Sequence, residues 1–241
     1  MSQPQKFPAL SQAYAPVRWR VELHSHTHWS KDCVTKPETI LRLCETRRID
    51  KIAITDHNTA DGALEMHQFA PERIIVGEEI MTTQGELLGY FMTETVPAGL
   101  TPQETIRRLR EQGAVISVAH PFDRLRKGAW EEDDLTRIIN DVDAIEVFNA
   151  RCVFPDDNRK AVEYAKRCGV LGTVGSDAHS DVEYGRSVRL LKPFSTPAEF
   201  LQALETADAE RRYSSLLVHV SSSAAKWAKK LKLKPRLWAG G

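Results

Sequence analysis

The sequence predicts an α/β fold in which a largely parallel sheet is covered by helices. Three observations predict it. Seven short apolar runs recur along the chain. Helical stretches separate most of them. The runs are near-continuous rather than alternating, as expected for strands buried on both faces. A chain of 241 residues also fits one α/β barrel domain.

The elements follow in order. Residues 1–17 are rich in Pro, Gln and Ser and read as a flexible leader. The strand-like runs are WRVEL (19–23), KIAIT (51–55), RIIVGEEI (73–80), ELLGYFM (86–92), AVISVA (114–119), AIEVF (144–148) and VLGTVG (170–175). Pro37 sits in the first turn of a helix carrying Ile40, Leu41, Leu43 and Cys44. Thr101-Pro102-Gln103-Glu104 opens a second helix, which Gly113 stops. A third spans 156–168 and is closed by Gly169. The segment TTQGE (82–86) reads as a hairpin, so one local antiparallel pair is expected. Residues 18–210 would form the working domain and 211–241 a basic tail.

That tail contains AAKWAKKLKLKPRLW (224–238). It reads either as a solvated helix docking its two Trp on the domain, or as a basic amphipathic helix making peripheral contact with a membrane surface or nucleic acid. The first is the simpler expectation. The formal net charge is zero, which argues against a strong nucleic-acid field over the whole chain. The four cysteines, Cys33, Cys44, Cys152 and Cys168, form no C-x-x-C pair and are too few for a disulfide framework. MSQPQKFPAL lacks the pattern of a signal peptide. No apolar run approaches the roughly 20 residues of a membrane span. A reduced, cytoplasmic protein is the expectation.

The chemistry sits at strand ends. VELHSHTHWSKD places His24, His26 and His28 at alternating positions and ends on Asp32. If the run continues as a strand, the three imidazoles share a face. TDH gives Asp56-His57, GEEI gives Glu78 and Glu79, VAHPF gives His120, and VGSDAHS gives Asp177 and His179. In an α/β barrel the C-terminal strand ends converge on one face. Imidazoles and carboxylates together suit Zn, Mn or Fe(II). Eight candidate ligands exceed the need of one ion, so two or three divalent metals sharing a bridging carboxylate are expected, with Glu79 as the bridge. Each motif alone is weak, since a lone His-x-His is more often a satisfied pair than a ligand. Five strand ends in concert are not.

These motifs resemble the PHP family, named for polymerase and histidinol phosphatase domains. The family pattern is H-x-H with a later Asp, then T-D-H, G-x-E, H-P and S-D-x-H. Here it is met by His24-Ser25-His26 with Asp32, Thr55-Asp56-His57, Gly77-Glu78-Glu79, His120-Pro121 and Ser176-Asp177-Ala178-His179. The resemblance implies a distorted (β/α)7 TIM-like barrel with a trinuclear site at the C-terminal strand ends. It assigns His24, His26, Glu79 and Asp177 to one metal, Glu79 and His120 to a second, and Asp32, His57 and His179 to a third. Many members carry a further His six residues beyond the Glu of a strand like IEVF. Here that position is Cys152, either a thiolate ligand or a bystander. His28 is assigned to substrate contact or to support of a ligand, and His67 and His219 to ordinary packing.

Such a site performs metal-assisted hydrolysis, with a metal-bridged hydroxide as nucleophile. Arg151 and Arg186 are the candidate phosphate binders, with Asn149 and Ser30 behind them. The expected function is a free-standing phosphoesterase acting on a small phosphomonoester such as a nucleotide, or on a nucleic-acid 5′ end. Two alternatives compete with it. An amidohydrolase-type C–N hydrolase usually bridges its metals with a Lys, and none stands at a strand end. A non-catalytic metal-binding domain would have lost several ligand positions.

Overall fold

A computed structural model describes residues 17–215 together with positions 218 and 227. The leader before residue 17 and the proposed tail helix, with His219, therefore lie outside the described residues. At the two described positions beyond residue 215, Val218 is buried and Trp227 is exposed.

All seven expected strands form: β1 (Trp19–Glu22), β2 (Lys51–Ile54), β3 (Ile74–Met81), β4 (Glu86–Tyr90), β5 (Val115–Val118), β6 (Ala144–Asn149) and β7 (Leu171–Gly175). They lie side by side in sequence order. Neighbours are parallel except at β4, which runs antiparallel to both β3 and β5. The reversal is made by the expected hairpin, whose register pairs Met81 with Glu86. Thr82 closes the turn, its N–H donating to the Gly85 carbonyl at 2.9 Å.

The sheet nearly closes into a barrel. The closing contact falls just beyond the C-terminal ends of β1 and β7. There the His26 N–H donates to the Ala178 carbonyl (2.9 Å) and the Asp177 N–H to the His24 carbonyl (2.8 Å). Lower down, the edge of β1 is taken by β8 (Ser187–Leu191), which pairs antiparallel and carries β9 (Asp208–Arg211) in turn. Neither β8 nor β9 is expected from the sequence. SVRLL has a central Arg189 and DAER is polar, so neither reads as an apolar run.

Among the described residues, six helices cover the sheet: α1 (Pro37–Thr46), α2 (Asp61–Phe69), α3 (Pro102–Glu111), α4 (Glu132–Ile138), α5 (Pro155–Cys168) and α6 (Pro197–Glu205). Pro occupies the first turn of α1, α3, α5 and α6, where its missing N–H costs nothing. Gly169 ends α5 in the left-handed conformation (φ 68°), as its position predicts. Strand residues alternate between two cores. Ile52, Ile54, Ile74, Val76 and Ile116 join Ile40, Met66 and Leu109 from the helices. Val21, Ala53, Ile75, Leu88 and Tyr90 form the other, completed by Phe194 and by Phe200 of α6. Burial on both faces is why the strands read as continuous apolar runs. No helix among the described residues is long and apolar enough to cross a membrane.

Candidate metal centre

The site is built just past the strand ends, and its backbone is bent to build it. β1 stops at Glu22, and the next residues turn rather than extend. The Asp56 carboxylate fastens that turn. Its Oδ1 accepts from the Thr27 N–H (2.7 Å), the Ser30 N–H (3.2 Å) and the Ser30 hydroxyl (2.6 Å), and its Oδ2 from the Thr27 hydroxyl (2.7 Å). The turn corrects one expectation. His24 and His26 are buried, but His28 is exposed beside Trp29 and does not share their face. Two other site residues hold positive φ, His120 (21°) and Asp177 (52°). Such strain persists only where surrounding contacts over-determine it.

Three histidines are oriented alike. His24 places Nδ1 at 3.0 Å from Glu146 Oε1. His26 places Nδ1 at 3.1 Å from the Ser30 hydroxyl. His179 places Nδ1 at 2.8 Å from the Asp177 carbonyl. In each case Nε2 is left facing the cluster, the arrangement by which supporting groups aim metal-ligating imidazoles. His24 Nε2, His26 Nε2 and Asp177 Oδ1 are buried and have no hydrogen-bond partner. Yet they converge: Asp177 Oδ1 lies 3.7 Å from His24 Nε2 and 3.2 Å from His26 Nε2. Glu79 lies between the groups, with Oε1 at 3.3 Å from His24 Nε2 and 2.8 Å from His120 Nε2. Its Oε2 is 3.4 Å from His26 Nε2 and 2.7 Å from His57 Nδ1. Asp32 Oδ1 approaches His57 Nε2 (3.5 Å) and His179 Nε2 (3.3 Å). Buried polar atoms that converge without pairing are costly unless something else satisfies them, and a cation does so. Four overlapping ligand groups are close enough to share an ion: His24/His26/Asp177, His26/His57/His179, His24/Glu79/His120 and His57/Glu79/Glu86.

The electrostatics follow from this crowding. Burial pushes the His24 imidazole down, but Glu146, Glu79 and Asp177 outweigh it and raise its pKa well above the ordinary value. His26 goes the other way, because burial and the neighbouring His179 and His57 all disfavour its cation. His57 is raised, as Glu79 and Asp32 overcome its burial. Burial opposes ionisation of Glu79, yet His57 and His24 hold its carboxyl well below the usual range. Asp177 is likewise depressed against its burial, by Arg126 and His24.

Eight of the sequence-predicted ligands thus lie in one cluster. Cys152 is buried, and burial followed by Asp123 and Glu146 pushes its thiol up; it joins none of the groups close enough to share an ion. Arg151 is buried beside the cluster, its guanidinium 3.5 Å from the Asp177 carbonyl and 3.6 Å from Glu183 Oε1. Arg186 instead bonds back to the Val182 carbonyl of its own turn at 3.2 Å. His67 is half-buried with Nδ1 at 2.9 Å from the Ile74 carbonyl, an ordinary packing role.

Sequence reasoning missed three contributors. Glu86, the first residue of β4, brings Oε2 to 3.5 Å from His120 Nε2. Glu146 orients His24 and also accepts from the His120 N–H (2.9 Å) and Asn149 Nδ2 (3.0 Å). Arg126 donates from Nη2 to Asp177 Oδ2. Alternation along β6 was the available signal for Glu146. Nothing in the sequence singles out Arg126, which lies in an irregular loop.

The fold and the cluster together define a barrel protein with a candidate metal centre at its C-terminal strand ends. The PHP domain model matches residues 22–140, and a PHP-associated model matches 155–208. An uncharacterized protein of Methanocaldococcus jannaschii is 38% identical over 200 residues, covering 77% of this chain and 79% of that one. The chain belongs to the PHP family. Among solved structures, a two-domain protein from Bacteroides vulgatus containing a predicted PHP-like metal-dependent phosphoesterase superposes with a TM-score of 0.64 at 18% identity. That match covers 81% of this chain but only 65% of the two-domain chain. A lesion-specific endonuclease from Pyrococcus furiosus superposes with a TM-score of 0.54 at 16% identity, over 80% of this chain and 58% of that one. Both show the shared fold.

Proposed function

We propose that this chain is a metal-dependent phosphoesterase, hydrolysing a small phosphomonoester such as a nucleotide, or the phosphate at a nucleic-acid 5′ end. The observation that carries the reading is the convergence of unpaired, buried His24 Nε2, His26 Nε2 and Asp177 Oδ1 around the Glu79 carboxylate. His24, His26, Glu79 and Asp177 would hold one divalent ion of Mn, Zn or Fe. Glu79 and His120 would share a second, and Asp32, His57 and His179 a third. Bound ions supply Lewis acidity, lowering the pKa of water toward neutrality and offsetting charge on phosphate oxygens.

The chain's own residues do the rest. Glu146, Ser30 and the Asp177 carbonyl keep the three imidazoles turned toward the cluster. Arg151, beside the cluster, would take a phosphate oxygen, its planar fork being suited to that geometry. The family match and the phosphoesterase and endonuclease neighbours support a phosphate ester, while an amidohydrolase from Chromobacterium violaceum shares the fold at a TM-score of 0.51 and 15% identity.

The test pairs elemental analysis of gently purified protein with hydrolysis of p-nitrophenyl phosphate, with and without Mn²⁺. Two or more metals per chain and metal-dependent turnover are expected. Bound metal without turnover on a panel of phosphate esters would move the reading to a C–N hydrolase. Failure to bind metal under any loading condition would overturn it.

A further inference from the structure

The end of the barrel opposite the histidine cluster holds a cavity of about 470 Å³. It lies where β2 and β3 begin and where the chain leaves β4. Its volume falls within the roughly 300–1,000 Å³ of small-molecule sites. Ile74, Ile75, Val76 and Met92 give it an apolar wall. Phe91 and Phe194 add two rings, edge-on to each other at 6.3 Å. Phe91 holds a positive φ (61°), which a bulky side chain adopts only under constraint. Its ring is half-buried and also meets Phe200 at 5.4 Å. Strain of this kind collects at ligand clamps and active sites, and this residue is far from the strand ends that carry the cluster.

Two polar side chains line the same cavity. Lys51, the first residue of β2, is half-buried, and burial lowers its pKa although Glu72 opposes the shift. Its ammonium donates to the Glu72 carbonyl at 2.6 Å and lies 5.1 Å from the Trp19 ring and 5.8 Å from the Phe194 ring. It makes no ion pair among the described residues, so donor capacity is left over. Two carboxylates line the adjoining groove. Asp50 accepts from the Arg20 N–H at 2.7 Å, and Glu72 is exposed to solvent. His67 gives Nδ1–H to the Ile74 carbonyl at 2.9 Å, which leaves Nε2 as an acceptor rather than a second cation. A partly desolvated ammonium gains from an anion. Edge-on rings beside an aliphatic wall suit a flat apolar body. One small molecule can supply both.

We propose that this cavity binds a small aromatic carboxylate, with its ring against Phe91 and Phe194 and its carboxylate on the Lys51 ammonium. The site is separate from the candidate metal centre. Lys51 begins the strand that His57 follows, and Ile74 begins the strand that carries Glu79. The inference therefore stands or falls apart from the phosphoesterase reading.

The probes are indole-3-acetate and 2-naphthoate, each beside its carboxamide. They are added to the full chain treated with chelator, so that no carboxylate is drawn to a metal ion. The chain has four methionines, of which Met92 lines the cavity and Met81 ends β3 at its other end. With the methionine methyls labelled for NMR, the Met92 signal, assigned with Met92→Leu, should shift saturably with either acid while Met81 stays in place. Each acid should bind at least about tenfold tighter than its carboxamide, the gain of an ionic contact over a neutral one. Lys51→Gln should remove most of that preference and leave carboxamide affinity unchanged, with its Met66 and Met81 signals showing that it folds. If that variant does not fold, the comparison of acid with carboxamide on the parent decides alone. An unmoved Met92 signal at saturating acid, equal affinity for acid and carboxamide, or a full preference in Lys51→Gln would each overturn the proposal. So would a Met92 shift produced by concentrating the protein alone, which would make a second copy of the chain the occupant.

Discussion

At the scale of residues, the candidate metal centre depends on groups that point histidines as much as on the histidines. Glu146 is the clearest case, since one carboxylate fixes the His24 ring through Oε1 and the His120 backbone through Oε2. Glu146→Ala should therefore lower divalent-metal affinity about 10- to 100-fold, the usual cost of losing such support. Calorimetric titration with Mn²⁺ checks it, and an unchanged Kd would show that His24 needs no orienting partner. Space matters as well. An added Cβ on Gly175 would fall 2.3 Å from His24 Cβ and 2.5 Å from Glu146 Oε1, so Gly175→Ala must displace the pair. A loss of about 1–3 kcal/mol in urea unfolding is expected for such overpacking, with weakened metal binding beside it. These dependencies explain what the sequence hid. Candidate ligands announce themselves by type and motif, so the clustering of His24, His26, His57, Glu79, His120, Asp177 and His179 was legible. Glu86, Glu146 and Arg126 matter only through where they meet other residues, and neither periodicity nor composition encodes that.

At the scale of elements, the strands were legible because both faces of the sheet are buried, and turn chemistry located α1, α3 and α5. β8 and β9 were not: the polar β9 holds its place by pairing at the edge of the sheet, and in β8 the central Arg189 interrupts the apolar run although Val188 and Leu191 are buried. The β1–α1 connection shows how an element serves the site. Asp56→Ala removes four acceptor contacts from the 27–30 turn and leaves the buried Thr27 N–H and hydroxyl without their acceptor, while the Ser30 N–H keeps the Thr27 carbonyl. At about 1–3 kcal/mol for each unsatisfied group, a loss of a few kcal/mol is expected, together with impaired metal binding, because Ser30 also orients His26. Thr196→Ala is the contrasting case. It removes the capping box of α6, far from the strand ends in sequence, and should cost about 1 kcal/mol with metal affinity intact. Thermal unfolding and Mn²⁺ titration on both variants separate a turn that builds the site from a helix that only supports the barrel. Parallel effects of the two variants on metal binding would refute the distinction.

At the scale of the whole molecule, buried charge sets how stability responds to pH and to metal. Glu78 is buried, and burial pushes its carboxyl from 4.5 up to about 8, against one hydrogen bond from the Val96 N–H. The folded chain then holds a proton that the unfolded chain has released, so stability falls as pH rises across that interval and stays reduced above it. Glu78→Gln should gain relative to the parent by about 1–4 kcal/mol between pH 5 and pH 9, in urea unfolding of chelator-treated protein. A difference independent of pH would place the titration elsewhere.

The metal centre couples to the same balance more strongly. Without a metal ion, His57 and His24 hold Glu79 ionised, Arg126 and His24 hold Asp177 ionised, and hydrogen bonds to His179 and His57 hold Asp32 ionised, while burial, with His179 and His57 beside it, keeps His26 neutral. The folded state thus gathers groups that an unfolded chain would scatter, and only the folded state presents them together to an ion. At a free metal concentration 100-fold above Kd, mass action adds about 2.7 kcal/mol of stability. For a chain of this size that is a rise in Tm of about 5–11 °C. His24→Ala removes one ligand atom from two of the overlapping groups and with it most of that rise. Scanning calorimetry of parent and variant, each with Mn²⁺ and with chelator, is the check. If the parent gains nothing from metal, the cluster is not a cation site. If the His24→Ala variant gains as much as the parent, the ion sits among other residues of the cluster.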